Sequence, residues 1–477
     1  MKKIFLKLIA YLFVAIVCVG FASCGDDEND ETSSPDIPIN PVEPSKNDAM
    51  SSAEQKEYLE KVALDFMDMM PASDFRDISE LGKFINENYI NDYNWDDVKD
   101  WAKDAFEAAR EALGTKTIES ETERWGSHTY KYNYIYTNYK AILFASNFTG
   151  HFTARNGRWV HERANDLQFI FNDKRGQQCI IKMETSGTVK KAYLLNVDDW
   201  KGYDYDSNDY YEYNDYFDRT QCTIGVPEKT IVTLTQDGNQ VIKTTVKIDL
   251  GGITNEEFDI SKSNLTFSAL VEINNGYKFD VSKVAYTANT NASMAFTMSK
   301  NGTAIVAIGV SAEVCDIPSV NVSAFFSECF NEDNYDFDKV NGKKAYVKLD
   351  ILGKVQIQGS MSDIRKFVEY LTEASDNDTS ESAYKSYINQ ANALADINLF
   401  YDGKNVKQAA IKLEAFVDET WNGRTYWEVE PIIYFYDGSS YSTFEAFFNE
   451  KDFKKVIDTF KTLTNEYANL VDERIDW

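Results

Sequence analysis

HFTARNGRWVHE, residues 151–162, is the stretch on which the fold turns. Asn156-Gly157 stands between two short runs rich in aromatic and β-branched residues, and both central positions of a type I′ turn need positive φ, so the sequence predicts a tight β-hairpin. A two-residue loop sets the register. It places Phe152 opposite His161 and His151 opposite Glu162. Because neighbours along a strand alternate faces, the two imidazoles point to opposite sides and share no metal.

Outward from this hairpin the period of two persists. Turns are expected at Asp173 to Gly176, Gln236 to Asn239, Asn274-Asn275-Gly276 and Asn301-Gly302. Between them run Ile242, Thr244, Val246 and Ile248, then Leu265, Phe267, Ala269, Val271 and Ile273, then Met294, Phe296 and Met298. One apolar and one polar face, strand after strand, imply an antiparallel meander. Residues 119–330 are read as this β-rich region.

Upstream the period is helical. Ser51 with Glu54 forms a capping box before Tyr58, Leu59, Val62, Phe66 and Met69, and Pro71 ends the run. A second helix is expected over 75–89 and a third over 94–113, ended by Gly114, giving a helical module over 51–118. Downstream, 331–477 mixes both periods and is expected to pack on the same body. Two strands are predicted within 344–359, helices over 362–374 and 380–394, strands at 396–402, 407–417 and 426–436, and an amphipathic helix over 449–471. The fold class is α+β: a helical module, a large antiparallel meander with flanking helices, and a C-terminal amphipathic helix.

The chain opens MKKIFLKLIAYLFVAIVCVGFASCGDDENDE, with three lysines, an apolar run from Leu8 to Phe21, then Ala22-Ser23-Cys24. That order is a secretory signal peptide, and its apolar core falls short of the roughly 20 residues a membrane span needs. Residues 1–23 resemble the signal of bacterial lipoproteins, and Phe21-Ala22-Ser23-Cys24 resembles their lipobox, which implies that Cys24 becomes the first residue and carries lipid. The acidic run 25–31 is similar to the tag of Bacteroidota lipoproteins that reach the outer face of the outer membrane. The resemblance implies a cell-surface protein anchored by several acyl chains, since one chain alone holds only marginally. Residues 24–50, with four prolines and few core-forming residues, read as the lipidated Cys and a disordered acidic tether.

Without residues 1–23 the chain carries 46 Lys+Arg against 77 Asp+Glu, a net charge of −31. Such a surplus argues against a nucleic-acid partner. Cys179, Cys222, Cys315 and Cys329 remain in the exported body. Their compartment permits disulfides, but four cysteines allow three pairings and spacing does not choose among them.

Catalytic signatures are absent: no G-x-S-x-G, Walker A, H-E-x-x-H or G-x-G-x-x-G motif occurs. The acids are too many for any carboxylate pair to stand out, and the sequence leans away from an enzyme. One segment does stand out. Residues 198–219, DDWKGYDYDSNDYYEYNDYFDR, hold eight aromatics and eight carboxylates. As a calcium loop it would use Asp204, Asp206, Asn208 and Asp215, but Asp209 occupies the position where an EF-hand needs Gly, leaving a looser calcium site as the reading. As a binding surface, Trp200, Tyr203, Tyr205 and Tyr210 offer ring faces to sugar C–H groups, with carboxylates to accept hydroxyl protons. The plain alternative is a solvated loop. Trp421, in a second aromatic cluster that looks like a hairpin tip, is a further candidate.

Because many Bacteroidota surface lipoproteins serve glycan capture, the resemblance implies non-catalytic binding of a glycan or another extracellular ligand. Two other classes are open: a carrier of an apolar or lipid ligand inside a curved sheet, and a structural or adhesive surface protein.

Overall fold

The computed structural model describes residues 48–86, 95–205, 212–253, 259, 261–316, 341–376, 380–421, 424–438, 441–449 and 451–471. Of these, 57% are strand and 27% helix, so the molecule is a very large, open, mostly antiparallel sheet with a helical cover.

Helix α1 (Ser52–Asp68) starts as the capping box requires: the Ser51 hydroxyl accepts the Glu54 amide at 3.3 Å, and the Ser51 amide donates to the Glu54 carboxylate at 2.8 Å. After Pro71 a 3-10 turn (Ala72–Phe75) leads into α2 (Arg76–Ile85). Helix α3 (Asp96–Ala109) passes directly into strand β1 (Arg110–Trp125). The helix expected to reach Leu113 therefore stops four residues early. Arg110 to Ala112 pair with β2 instead, and Gly114, φ +66°, sits at a bulge in that ladder rather than at a helix end. Cross-strand pairing overrides the helical preference of an alanine-rich run.

The strands that follow are β2 (His128–Phe144), β3 (Gly150–Arg155), β4 (Arg158–Glu162), β5 (Leu167–Asn172), β6 (Gln178–Tyr205), β7 (Glu212–Gln236), β8 (Asn239–Gly251), β9 (Asn264–Ile273), β10 (Tyr277–Thr287), β11 (Asn291–Lys300) and β12 (Thr303–Cys315). Then come β13 (Asn341–Ile351), β14 (Val355–Met361), helices α4 (Ile364–Asp376) and α5 (Glu381–Leu394), β15 (Ala395–Tyr401), β16 (Ala409–Trp421), β17 (Arg424–Phe435), β18 (Tyr441–Thr443), the short α6 (Phe444–Phe447), and α7 (Lys454–Leu470). All 18 strands among the described residues belong to one sheet.

The hairpin at Asn156-Gly157 forms as read, with φ of 52° and 77°, Phe152 opposite His161 and His151 opposite Glu162. From β5 onward each strand pairs antiparallel with the next, through to β18. Because β12 pairs with β13, the expected β-rich and α+β regions share one continuous sheet. Two parallel pairings break the pattern: β3 with β5, and β2 with β7.

One face of the sheet carries helices at both ends of its strands. On β14, Val355 and Ile357 join a cluster with Val62 of α1, Phe447 of α6 and Phe453, while Met361 on the same face meets Ile364 and Phe367 of α4 and Ala391 of α5. The N-terminal helices pack against this sheet. They form a strap across the strand ends. Ser52 donates to Asp437 after β17, Lys354 of the β13–β14 turn pairs with Asp65, and Asn275 of the β9–β10 turn donates to the Asp74 carbonyl at 2.6 Å. Leu81 of α2 packs among Phe171, Cys179 and Val241, and Trp101 of α3 meets Phe152 edge-on at 4.9 Å. Helix α7 rides on the strap, its Tyr467 hydroxyl donating to the Met70 carbonyl at 3.0 Å.

Cys179 and Cys222 are free thiols. Cys329 lies outside the described residues. Burial pushes the Cys179 thiol up to about 11, which makes it an apolar filler rather than a nucleophile.

Candidate functional site

Strands β6 and β7, with 28 and 25 residues, are far longer than the body needs. Their first and last portions respectively, 178–186 and 229–236, belong to the meander. The remainder, 189–205 and 212–225, runs on as a blade. Residues 131–144 of β2 join the outer side of β7 in parallel, and β1 pairs antiparallel with β2, giving a four-stranded order β1–β2–β7–β6. The acidic aromatic segment 198–219 is therefore no loop over its described length; it is strand on both sides of 206–211. Asp, Asn and Gly density suggests a turn, yet the β7 half has β2 on one side and β6 on the other to pair its backbone, while the β6 half pairs with β7 along the blade's edge.

Register sorts the blade into two chemically different faces. Residues 132, 134 and 136 of β2 lie level with 213, 215 and 217 of β7, and β6 brings Tyr203 level with Asp215 and Trp200 level with Phe217. The rings stack in rows: Tyr132 on Tyr213 at 5.1 Å and 15°, Tyr136 on Phe217 at 5.3 Å and 29°, Tyr203 on Tyr213 at 6.1 Å and 28°. Cross-strand aromatic pairs of this kind are what stabilises an extended sheet standing clear of a core. Toward the tip and edges the rings are open to solvent: Trp200 is 58% exposed, Tyr203 48%, and Trp125, on the same face by its register with His128, 69%.

Carboxylates border these rings. Asp215 accepts the Trp200 indole N–H at 3.3 Å, and Glu119 and Asp198 grip Arg219, whose guanidinium lies 3.6 Å from the Tyr136 ring centre. Burial pushes the Tyr136 hydroxyl up, with Arg219 pulling the other way, so the phenol stays a neutral donor. The two carboxylates likewise hold Arg219 more firmly charged than usual.

The opposite face is polar and internally bonded. Buried Asn133 donates to Glu212 at 2.6 Å and Asn214 at 2.8 Å and accepts from Ser120 at 2.7 Å, while Lys131 pairs with Glu212 at 2.6 Å. These contacts hold the Glu212 carboxyl below the ordinary range, Lys131 contributing most. At the blade's root Arg110 bonds Asp218 at 3.0 Å and covers the Tyr139 ring. The polar side chains of that face bond one another, with Ile118 and Val197 exposed beside them, while the aromatic face leaves Trp125, Trp200 and Tyr203 open.

Of the residues singled out from sequence, Trp200, Tyr203 and Asp215 come together on the aromatic face, and Tyr205 takes the register position opposite Tyr213. Asp204 pairs with Asn214 and falls on the other face from Asp215, so one ion between the strands does not reach both carboxylates. Asp206, Asn208 and Tyr210 lie outside the described residues, among which no group of three or more His, Cys, Asp or Glu is arranged to hold a metal ion. Trp421 ends β16, nine strands along the sheet from β7, and is not part of this site. His151 bonds Asp166 at 2.7 Å and His161 stacks on Phe152 at 4.8 Å. Both are occupied structurally.

Sequence reasoning passed over Tyr130, Tyr132, Tyr134 and Tyr136. Their strict alternation was the available signal, but only the parallel pairing with β7 turns a strand of tyrosines into a platform. No protein-family model, no curated protein and no solved structure matches this chain.

Proposed function

We propose that this protein is a lipid-anchored protein of a Bacteroidota-type outer-membrane surface that binds a glycan, without catalysis, on the aromatic face of its blade. The supporting observation is the juxtaposition of exposed rings with carboxylates on one sheet face. Rings at this spacing accept the C–H faces of successive sugar units, and Asp215, Glu121 and Glu123, on that face by register, accept hydroxyl protons. A shallow platform of this shape suits a chain-like ligand rather than a small molecule swallowed whole.

Truncating Trp200 and Tyr203 together to Ala should weaken retention on a polysaccharide affinity gel by about 30-fold or more, two exposed rings being worth about 1–2 kcal/mol each. The melting temperature should fall by no more than a few degrees, because both side chains are about half exposed and what they lose is a ring stack and an exposed hydrogen bond. Equal retention of variant and parent across a polysaccharide panel would sink the reading.

The anchor has its own test. Replacing Cys24 by Ala should move the protein from the membrane fraction to the soluble one after cell disruption, since the tether and body then have no acyl chain to hold them. Continued sedimentation with membranes would contradict lipidation at Cys24.

A further inference from the structure

Lys407 is a lysine in an unusual place: its side chain is only 4% exposed, in the connection between β15 and β16. An ammonium withdrawn from water is costly unless matched by partners. Its Nζ lies 3.3 and 3.5 Å from the two carboxylate oxygens of Asp396. Two residues along β15, on the same face, Asn398 is 1% exposed, and its amide Nδ2 donates to Asp396 Oδ1 at 2.8 Å. The Asn398 carbonyl oxygen in turn accepts the Tyr436 hydroxyl at 3.2 Å. Amine and carboxamide thus bond one and the same carboxylate oxygen, and the carbonyl has a hydrogen-bond donor on its oxygen.

These are the parts of an acyl transfer: a nucleophile, an electrophilic carbonyl, a carboxylate placed to pass a proton between two nitrogens, and a donor where negative charge develops. We propose that Lys407 and Asn398 become joined by an intramolecular amide bond that the folded chain forms by itself. Asp396 takes a proton from Nζ, and the freed lone pair adds to Asn398 Cγ. Negative charge on Oδ1 is met by the Tyr436 hydroxyl. Asp396 then gives its proton to Nδ2, the Cγ–Nδ2 bond breaks and ammonia leaves; Asp396 takes the second Nζ proton, which departs with the ammonia as ammonium, and the Cγ–Nζ amide remains. Lysine ammonium and carboxamide become a secondary amide and an ammonium ion, with no oxidant, reductant or cofactor. Burial of Lys407 and Asn398 keeps water from competing for the carbonyl, while Asp396, 57% exposed, opens a way out for ammonia.

Trypsin mapping of the denatured full-length chain tests this, because an acylated lysine is not cleaved. The expected product is a branched peptide, 386–404 joined to 405–412, lighter than its two parts by one ammonia, about 17 Da. Asn398→Asp should give the same branch by loss of water, about 18 Da. Asp396→Asn should return the separate peptides from a chain whose circular dichroism is unchanged. Recovery of unmodified 386–404 and 405–407 from the parent protein overturns the proposal, whatever the variants do.

Discussion

Tyr277→Ala is expected to lower the free energy of unfolding by about 3–5 kcal/mol, the range for deleting a buried aromatic ring. Tyr277 opens β10 and is fully buried where the strap crosses the middle of the sheet. Its ring packs on Phe75 at 4.8 Å, and Phe75 continues to Tyr467 of α7 at 5.8 Å. Its hydroxyl lies 2.7 Å from the Met69 carbonyl oxygen and 2.9 Å from the Asp74 carboxylate, which Lys300 also binds at 2.6 Å. Truncation therefore removes the ring contacts and the polar hub together. Tyr277→Phe separates the two: keeping the ring and losing only the hydroxyl should cost about 1–3 kcal/mol. Denaturant unfolding of both variants is the measurement. A loss below about 1 kcal/mol for the alanine variant would mean that the strap does not stabilise the sheet it crosses.

The second large effect is expected at Gly359. It lies in β14 directly opposite Ile397 of β15, and a Cβ there would stand 2.7 Å from the Asp396 carbonyl oxygen and from the Ile397 Cα. Those are backbone atoms, which cannot rotate aside as a side chain does. Gly359→Ala should therefore push two central strands apart and cost about 1–3 kcal/mol or more. Gly82, inside α2 with nothing within 4 Å of the equivalent position, supplies the control of opposite sign. Gly82→Ala should stabilise by about 0.4–1 kcal/mol, because alanine loses less backbone entropy in a helix. If both substitutions shift the unfolding midpoint equally, close approach at β14–β15 is not what keeps Gly359 small.

Local chemistry in the sequence carried much of the architecture. Asn156-Gly157 announced its hairpin and register, Ser51 and Glu54 their cap, and the alternation from Ile242 to Met298 the meander. What escaped was set at long range. Arg110 to Ala112 favour helix by themselves and become strand because β2 lies alongside. The segment 198–219 looks like a loop until β2 is brought against it across 81 residues of sequence, as from Lys131 to Glu212. The candidate site follows the same rule: Trp200 and Tyr203 were visible as residues, but their stacking partners were not, because no local pattern announces a parallel pairing between distant strands.

The strap also has a mechanical meaning. The proposed tether would join the body at α1, beside β14 to β17, whereas the blade springs from β6 and β7. Along the sheet, β7 and β17 are ten steps of about 4.8 Å apart, on the order of 50 Å. On the proposed function, a pull on a ligand held at the blade and resisted by the proposed lipid anchor would act across the strands and load the intervening ladders in series, like links that open one at a time. The two described parts of the strap, 52–86 and 95–109, run alongside that chain of links from β17 to β3. They act as a tie-bar, sharing tension that the ladders would otherwise bear alone.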